Sequence, residues 1–242
     1  MPRLELRCNV KIDWRVRLLK IWRDFVRPVA VILIVVGSFR SAVADWNDVP
    51  TGSMKPVILE GDRIFVNKLA YDLRVPFTDW RLAVWSKPHR GDVVVFFSPE
   101  EGGVRMVKRV VGLPGDTIEL KNNRLLINGA PVEYGPLNPR FVKAADLDRA
   151  AGYEFSEERL GDRAHPIMTM PHQPSRRNFR PLTVPDDQYF MMGDNRDFSR
   201  DSRWFGFVDS ALIVGRAIGI AMSLNPDHYY LPRWGRFFHA LP

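Results

Sequence analysis

Hydrophobic and polar positions along the 242-residue chain fall into two regimes. From Pro28 to Phe39 the run PVAVILIVVGSF carries no charge, and the less hydrophobic RSAVADW extends a mostly non-polar stretch to Trp46. A membrane crossing takes about 20 residues. A span here therefore has to run from Phe25 or Val26 to Trp46, with Arg27 and Arg40 reaching towards head groups. A buried core helix is the bland alternative. A cleavable signal peptide is the sharper one, because Ala42-Val43-Ala44 follows the apolar run in the position of a small-residue cleavage site. Against cleavage stand the long basic region ahead of the run and Arg40 between the run and the small residues.

Beyond Trp46 the period changes to two, in short runs separated by turn residues, which predicts strands. Gly61-Asp62 opens RIFVNKLAY, Arg90-Gly91-Asp92 opens VVVFF, and Gly103 precedes VRMVKRVVGL, which Pro114-Gly115-Asp116 ends. TIELKNNRLLING reads as a hairpin turning at Asn122-Asn123. From about 136 to 185 the pattern loosens into Pro, Arg and His, with one acidic helix-like stretch, AADLDRAAGYEFSEERL, and a strand-rich block resumes at Gln188 to Phe207 before SALIVGRAIGIAMSL. The expected fold is mainly β: an antiparallel sheet domain (47–116 and 187–225) with an inserted, less regular β-containing region (117–186). A basic segment (1–27) and a transmembrane helix (28–46) precede it, and an aromatic-basic tail (226–242) follows.

Charge changes the picture once it is located. The net +7 comes from 35 Lys+Arg against 28 Asp+Glu, but residues 1–40 hold nine Lys and Arg against three Asp and Glu, leaving the remainder close to neutral. Such an excess marks the cytoplasmic side of a membrane anchor rather than a polyanion-binding face, so the residues after about 46 are expected outside. Only RRNFR and the tail PRWGRFF mix basic and aromatic residues as a nucleic-acid patch does, and the tail suits a membrane interface better; no nucleic-acid partner is expected. With 45% hydrophobic residues the chain can build a core, and its single cysteine, Cys8, excludes a disulfide framework and a Cys-based zinc cluster. No metal or cofactor is expected.

Three segments carry candidate chemistry. In Val49-Pro50-Thr51-Gly52-Ser53-Met54-Lys55-Pro56, prolines bracket a small loop in which Gly52 can present the Ser53 hydroxyl, although most loop serines are only turn residues. A nucleophilic serine needs a base. The histidines at 89, 165, 172, 228 and 239 fall in Pro-rich or tail segments with no evident orienting carboxylate, and read as exposed loop residues. A lysine can serve if burial keeps it neutral. In VRMVKRVV the period of two puts Val104, Met106, Lys108 and Val110 in one row, so Lys108 projects from apolar company; Lys55, two residues from Ser53, is the competing base, and a lysine snorkelling to solvent is the bland reading. In the third segment, Gly193-Asp194-Asn195-Arg196-Asp197-Phe198-Ser199-Arg200-Asp201-Ser202-Arg203, alternating Asp and Arg suit internal ion pairs that would rigidify a site, the bland reading being a solvated loop.

PTGSMKP, RGDVVVF with MVKRVVGLPGD, and GDNRDFSRDSRWFGFV, in this order behind an apolar segment, resemble the bacterial type I signal peptidase (leader peptidase) family of membrane-bound Ser/Lys proteases, over about residues 28 to 223. The resemblance implies Ser53 as nucleophile and Lys108 as general base, with an oxyanion hole formed by the Ser53 N–H and the Thr51 hydroxyl. It implies that Ser199 orients the lysine amine and that Arg109, Asp194, Arg196, Asp201 and Arg203 are structural. Val49, Pro50, Met54, Met106 and Val107 would line shallow pockets for Ala-x-Ala. The implied activity is removal of signal peptides from exported preproteins at the outer face of a bacterial cytoplasmic membrane, by a single-pass protein expected to be a monomer. Thr51 stands where many members have Ser, and Asn47 and Asp48 replace apolar residues. The rival readings are a dedicated processing peptidase of the same clan, serving a conjugation or secretion system, and a catalytically silent membrane-anchored binding protein.

Overall fold

In the computed structural model, which describes residues 14–78, 80–137 and 152–242, the chain enters through α1 (Trp14–Ile21), a π-helical turn at Trp22–Val26, and α2 (Arg27–Ala42). Together these give one helix, Arg17–Ala42, that is long and apolar enough to cross a membrane, and Ile32, Leu33, Ile34 and Val35 on it are exposed. The expectation of a span reaching Trp46 is corrected by this boundary. The helix ends at Ala42, and Ala44–Asp48 forms strand β1. Two contacts fix the ending. Lys68 Nζ donates to Arg40 O (2.9 Å) and Ser41 O (3.1 Å), satisfying carbonyls that a helix terminus leaves unpaired and placing a cation at the negative end of its dipole. The backbone that follows finds its partners in β2 (Asp62–Asn67), with Ala44 opposite Asn67 and Asp48 opposite Arg63. The Ala42-Val43-Ala44 sequence is thereby divided between a helix end and a strand start.

A small hairpin, β3 (Asp72–Arg74) with β4 (Arg81–Val84), follows, and then β5 (Val93–Phe97) and β6 (Arg105–Gly112), paired antiparallel with Val94 opposite Lys108. The hairpin expected at Asn122-Asn123 is present as β7 (Thr117–Lys121) and β8 (Arg124–Ile127); both asparagines have positive φ (49° and 61°), as a two-residue turn that matches strand twist requires. Short strands β9 (Ala130–Pro131) and β10 (Glu133–Pro136) lead to β11 (Glu154–Leu160) and β12 (Arg163–Thr169), and β13 (Phe179–Thr183) returns to pair with β7. Here a second expectation fails. EFSEERL, read as helix-like, is strand β11, paired on both sides by β10 and β12, with Glu158 and Leu160 buried on one face. Its acidic residues mimicked a solvated helix face, whereas Glu158 is an interior ion-pair partner; residues 144–151 of that stretch lie outside the described residues.

The chain closes with β14 (Gln188–Met192), the short helix α3 (Ser202–Phe205), β15 (Val208–Asp209), β16 (Ile213–Asn225), β17 (Leu231–Pro232) and β18 (His239–Ala240). The main antiparallel sheet runs β1-β2-β16-β5-β6-β14-β15, with β17 and β18 also on β16. The fold is thus mainly antiparallel β behind one apolar helix. Val93 and Val95 bury one face of β5 with Val49, Met54, Ile58 and Ile64, while Val94 and Phe96 bury the other with Tyr71, Val110, Tyr189 and Met191. The β7–β8 hairpin packs Ile118, Leu120 and Leu125 against Val111, Phe190 and Met192 of the main sheet, so the inserted region shares a core with it.

The tail, read as a membrane-facing segment, divides. Tyr229, Trp234 and Phe238 are exposed, but Arg236 turns inward to pair with Asp62 at 2.6 Å and to donate to Val57 O at 3.0 Å, bracing the loop that follows Ser53. Removing one partner of a buried ion pair leaves an uncompensated charge and costs about 3–5 kcal/mol. Arg236→Ala should therefore lower the unfolding free energy of the purified chain by that order, read as a fall in the denaturant midpoint at unchanged slope; an unchanged midpoint would show the tail to be an accessory.

Candidate active site

Residues 50–61 form a loop closed at its neck, where Val49 N donates to Asp62 O (2.9 Å) and Gly61 N to Val49 O (3.0 Å), with Leu59 N held by Asp62 Oδ2 (2.8 Å). Inside it, Gly52–Met54 makes a single 3₁₀ turn, sealed by Lys55 N donating to Gly52 O at 3.1 Å. Gly52 is required by crowding: a Cβ there would lie 2.9 Å from Glu60 Oε1 and 3.0 Å from Lys55 Cε. Ser53 is 9% exposed. Lys55, the competing base, turns away to an ion pair with Glu60 at 3.1 Å.

β6 delivers the other lysine. Lys108 is 3% exposed, and its Nζ donates to Ser53 Oγ at 2.7 Å and to Val107 O at 3.1 Å. Burial pulls its pKa down from the usual lysine value to about 8; the positive charge of Arg203 adds to the effect, and Asp201 and Asp194 oppose it. A neutral amine next to a serine hydroxyl can accept the hydroxyl proton, which is general-base chemistry without histidine.

The third segment wraps this pair from behind. Arg109 grips Asp194 through two hydrogen bonds, Nε to Oδ1 (2.8 Å) and Nη2 to Oδ2 (2.7 Å), both side chains being 1% exposed. Arg203 binds Asp201 in the same two-pronged way at 2.8 Å and 2.8 Å, and Asp201 Oδ2 also accepts from Gly193 N at 3.0 Å. Burial alone would raise the Asp201 pKa, but the Arg203 charge and these hydrogen bonds hold it below the ordinary carboxylate value. Arg196 binds Glu158, which also accepts from Tyr134 OH at 2.6 Å. Ser199 lies over Gly193, where a Cβ would approach its Oγ to 2.3 Å; its hydroxyl is buried beside Asp201, whose charged form it helps to stabilise, and makes no bond to Lys108.

Other expected residues scatter. Thr51, just ahead of the turn, is extended and exposed, with no capping hydrogen bond from its side chain. Val49, Met54 and Val107 pack in one cluster, Met106 packs on the opposite face with Phe96 and Tyr189, and Pro50 is exposed on a cleft of about 420 Å³ shared with Met222 and Tyr230. Arg105 reaches across from β6 to Asn47 Oδ1 (2.9 Å) and Asp45 Oδ2 (3.3 Å) on β1.

His165 and Glu158 escaped sequence reasoning, and Asn195 was given no specific role. His165, read as an exposed loop residue, is a 1% exposed strand residue whose Nε2 lies 3.3 Å from Glu158 Oε2 and 3.7 Å from Asp194 Oδ1. Burial and the nearby Arg109 push its pKa down. The signal lay in the alternation of β12, where His165 shares a row with Ile167, although Pro166 obscured it. Asn195, hidden between two charged residues, donates its backbone N–H to Ser53 O (3.0 Å) and its side-chain Nδ2 to Gly52 O (3.1 Å).

Comparison with known proteins places the chain in a family. Residues 22–222 match the family described as signal peptidase, peptidase S26. A signal peptidase I of Pseudomonas aeruginosa is 37% identical over 221 residues, covering 86% of this chain and 75% of its own length. One from Pseudomonas fluorescens is 38% identical over 224 residues, covering 86% and 75%, and one from Haemophilus influenzae is 30% identical over 273 residues, covering 90% and 75%. With a family match spanning most of the chain and relatives 37% and 38% identical over 86% of it, the chain belongs to the signal peptidase family, peptidase S26, and is a peptidase.

Proposed function

We propose that this protein removes N-terminal signal peptides from exported preproteins after small residues, using Ser53 as nucleophile and Lys108 as general base. The observation that carries the proposal is the 2.7 Å contact between Lys108 Nζ and Ser53 Oγ in surroundings that bring the lysine pKa to about 8. Neutral Lys108 takes the Ser53 proton as Oγ attacks the scissile carbonyl, and the resulting ammonium protonates the leaving amine. A water that gives its proton to the same lysine then hydrolyses the acyl-enzyme. In a 3₁₀ turn the first N–H groups have no partner within the turn, so the Ser53 N–H is available to the oxyanion, together with the Thr51 hydroxyl. Val49, Met54 and Val107 are already packed against one another, a wall that suits small side chains such as those of Ala-x-Ala. Ser199 acts on Lys108 by filling the space over Gly193, with Arg109, Asp194, Arg196, Asp201 and Arg203 holding the frame.

The helix Arg17–Ala42 anchors the chain in the bacterial cytoplasmic membrane with residues 1–27 inside, following their positive charge, and the β domain outside; phospholipid and preprotein are the partners, and the protein acts as a monomer. Cys8, the single cysteine, should then resist a membrane-impermeant maleimide on intact cells and react after permeabilisation; labelling without permeabilisation would reverse the topology.

Ser53→Ala and Lys108→Ala should abolish preprotein cleavage, and Lys108→Arg should fail as well because a guanidinium does not release its proton near neutral pH. Thr51→Ala should slow cleavage by about 2.7–4 kcal/mol at most, the cost of one oxyanion donor. Near-normal turnover in either alanine variant of the dyad would sink the mechanism.

Since the base is the uncharged amine, the cleavage rate should rise with pH and level off above about 8, the loss of one proton from Lys108 setting the acid limb. A profile already flat from about pH 6 upward would assign the proton to another group.

A further inference from the structure

Asn195 makes two contacts that proton transfer between Ser53 and Lys108 does not use. Its Nδ2 holds Gly52 O at 3.1 Å and its backbone N–H holds Ser53 O at 3.0 Å. In a trans peptide unit the C=O and the N–H point in opposite directions. Gly52 C=O and Ser53 N–H belong to one such unit, and Ser53 C=O and Met54 N–H to the next. A group that grips both carbonyls from one side therefore turns both N–H groups towards the other side. We infer that Asn195 is a positioning residue that aims the Ser53 N–H at the oxyanion of the reaction, an inference resting on the proposed Ser53/Lys108 chemistry.

The clamp cannot drift. Asn195 is 5% exposed and is bridged to β12, with Met168 N donating to Asp194 O and Arg196 N to Met168 O, both at 2.9 Å. On its other flank Gly193 presses so close that a Cβ would stand 2.5 Å from Ser53 O. Asp194 next to it is fixed by Arg109. The neutral amide also matters. It donates to a carbonyl while adding no charge beside Lys108, so the serine is oriented without displacing the lysine pKa. The inserted region acquires a role in the site through this contact, since β12 is the surface against which the clamp is seated.

The full-length Asn195→Ala and Asn195→Asp variants, with Ser53→Ala as reference, should be assayed on a preprotein and titrated with a signal-sequence peptide aldehyde, whose serine adduct places an oxyanion where the tetrahedral intermediate does. Asn195→Ala should lose about 10- to 100-fold in kcat, less than deletion of a donor outright, and the same factor in aldehyde affinity. KM should hold within about twofold, and the acid limb of the pH profile should stay in place. Asn195→Asp should show the same loss together with an acid limb moved to higher pH, because a carboxylate beside the dyad favours the ammonium form of Lys108. The inference is overturned by Asn195→Ala keeping wild-type kcat and aldehyde affinity, or by a fall in kcat that tracks lost thermal stability while aldehyde affinity is unchanged. An active Ser53→Ala enzyme would instead overturn the dyad on which the inference stands.

Discussion

The bidentate pairing of Arg109 with Asp194 is the interaction on which the rest of the site depends. Arg109 follows Lys108 on β6, and Asp194 precedes Asn195 in the segment behind Ser53, so one buried ion pair sets the distance between the strand carrying the proposed base and the segment holding the proposed nucleophile. With both side chains 1% exposed, neither charge could be left alone in that interior. Arg109 also donates to Gly91 O (2.8 Å) at the entry to β5, which ties a third element to the same guanidinium.

Around this pair the interior holds several further charges, and their arrangement bears on how a lysine could work as a base there. Arg109 with Asp194, Arg196 with Glu158, and Arg203 with Asp201 are each matched, so the frame acts on Lys108 through opposing charges. Desolvation dominates and disfavours the ammonium; Asp201 and Asp194 oppose it, and Arg203 adds to it. An unmatched carboxylate in this frame would stabilise the ammonium, and an unmatched arginine would weaken it further. Burying matched pairs costs desolvation energy, and the return here is a stiff frame of known sign. His165 fits the same logic as a neutral wedge between two carboxylates, with its pKa lowered by burial.

How much of this could be read from the chain alone follows the physics of each segment. Lys108 stood out because period two put a charge into a row of Val and Met, and in the structure its amine reaches Ser53 Oγ. The Asn122-Asn123 turn was legible because it is set by local backbone conformation. Glu158 and His165 were not, since their burial comes from strands distant in sequence, and Glu158 at 0% exposure has the composition of a surface residue. The end of α2 was misplaced for a related reason. Hydropathy continues to Trp46, but the hydrogen-bond partners that end the helix sit on β2 and Lys68. Asn195 fitted a tightly hydrogen-bonded loop but showed no specific role, because a clamp on backbone carbonyls leaves no trace in periodicity.

The junction between α2 and β1 has a geometric consequence. Lys68 locks the last turn of the helix, β1 leaves directly into the sheet, and the Ser53 loop opens at the far end of that five-residue strand. A strand advances about 3.3 Å per residue, so helix end and hydroxyl are joined by a spacer of fixed length instead of a tether. For a chain anchored by that helix, the height of the cutting plane above the bilayer is built into the protein. Under the proposed function, a substrate would be selected by where its own apolar segment ends as well as by the side chains beside the bond, making the fold a ruler as much as a blade.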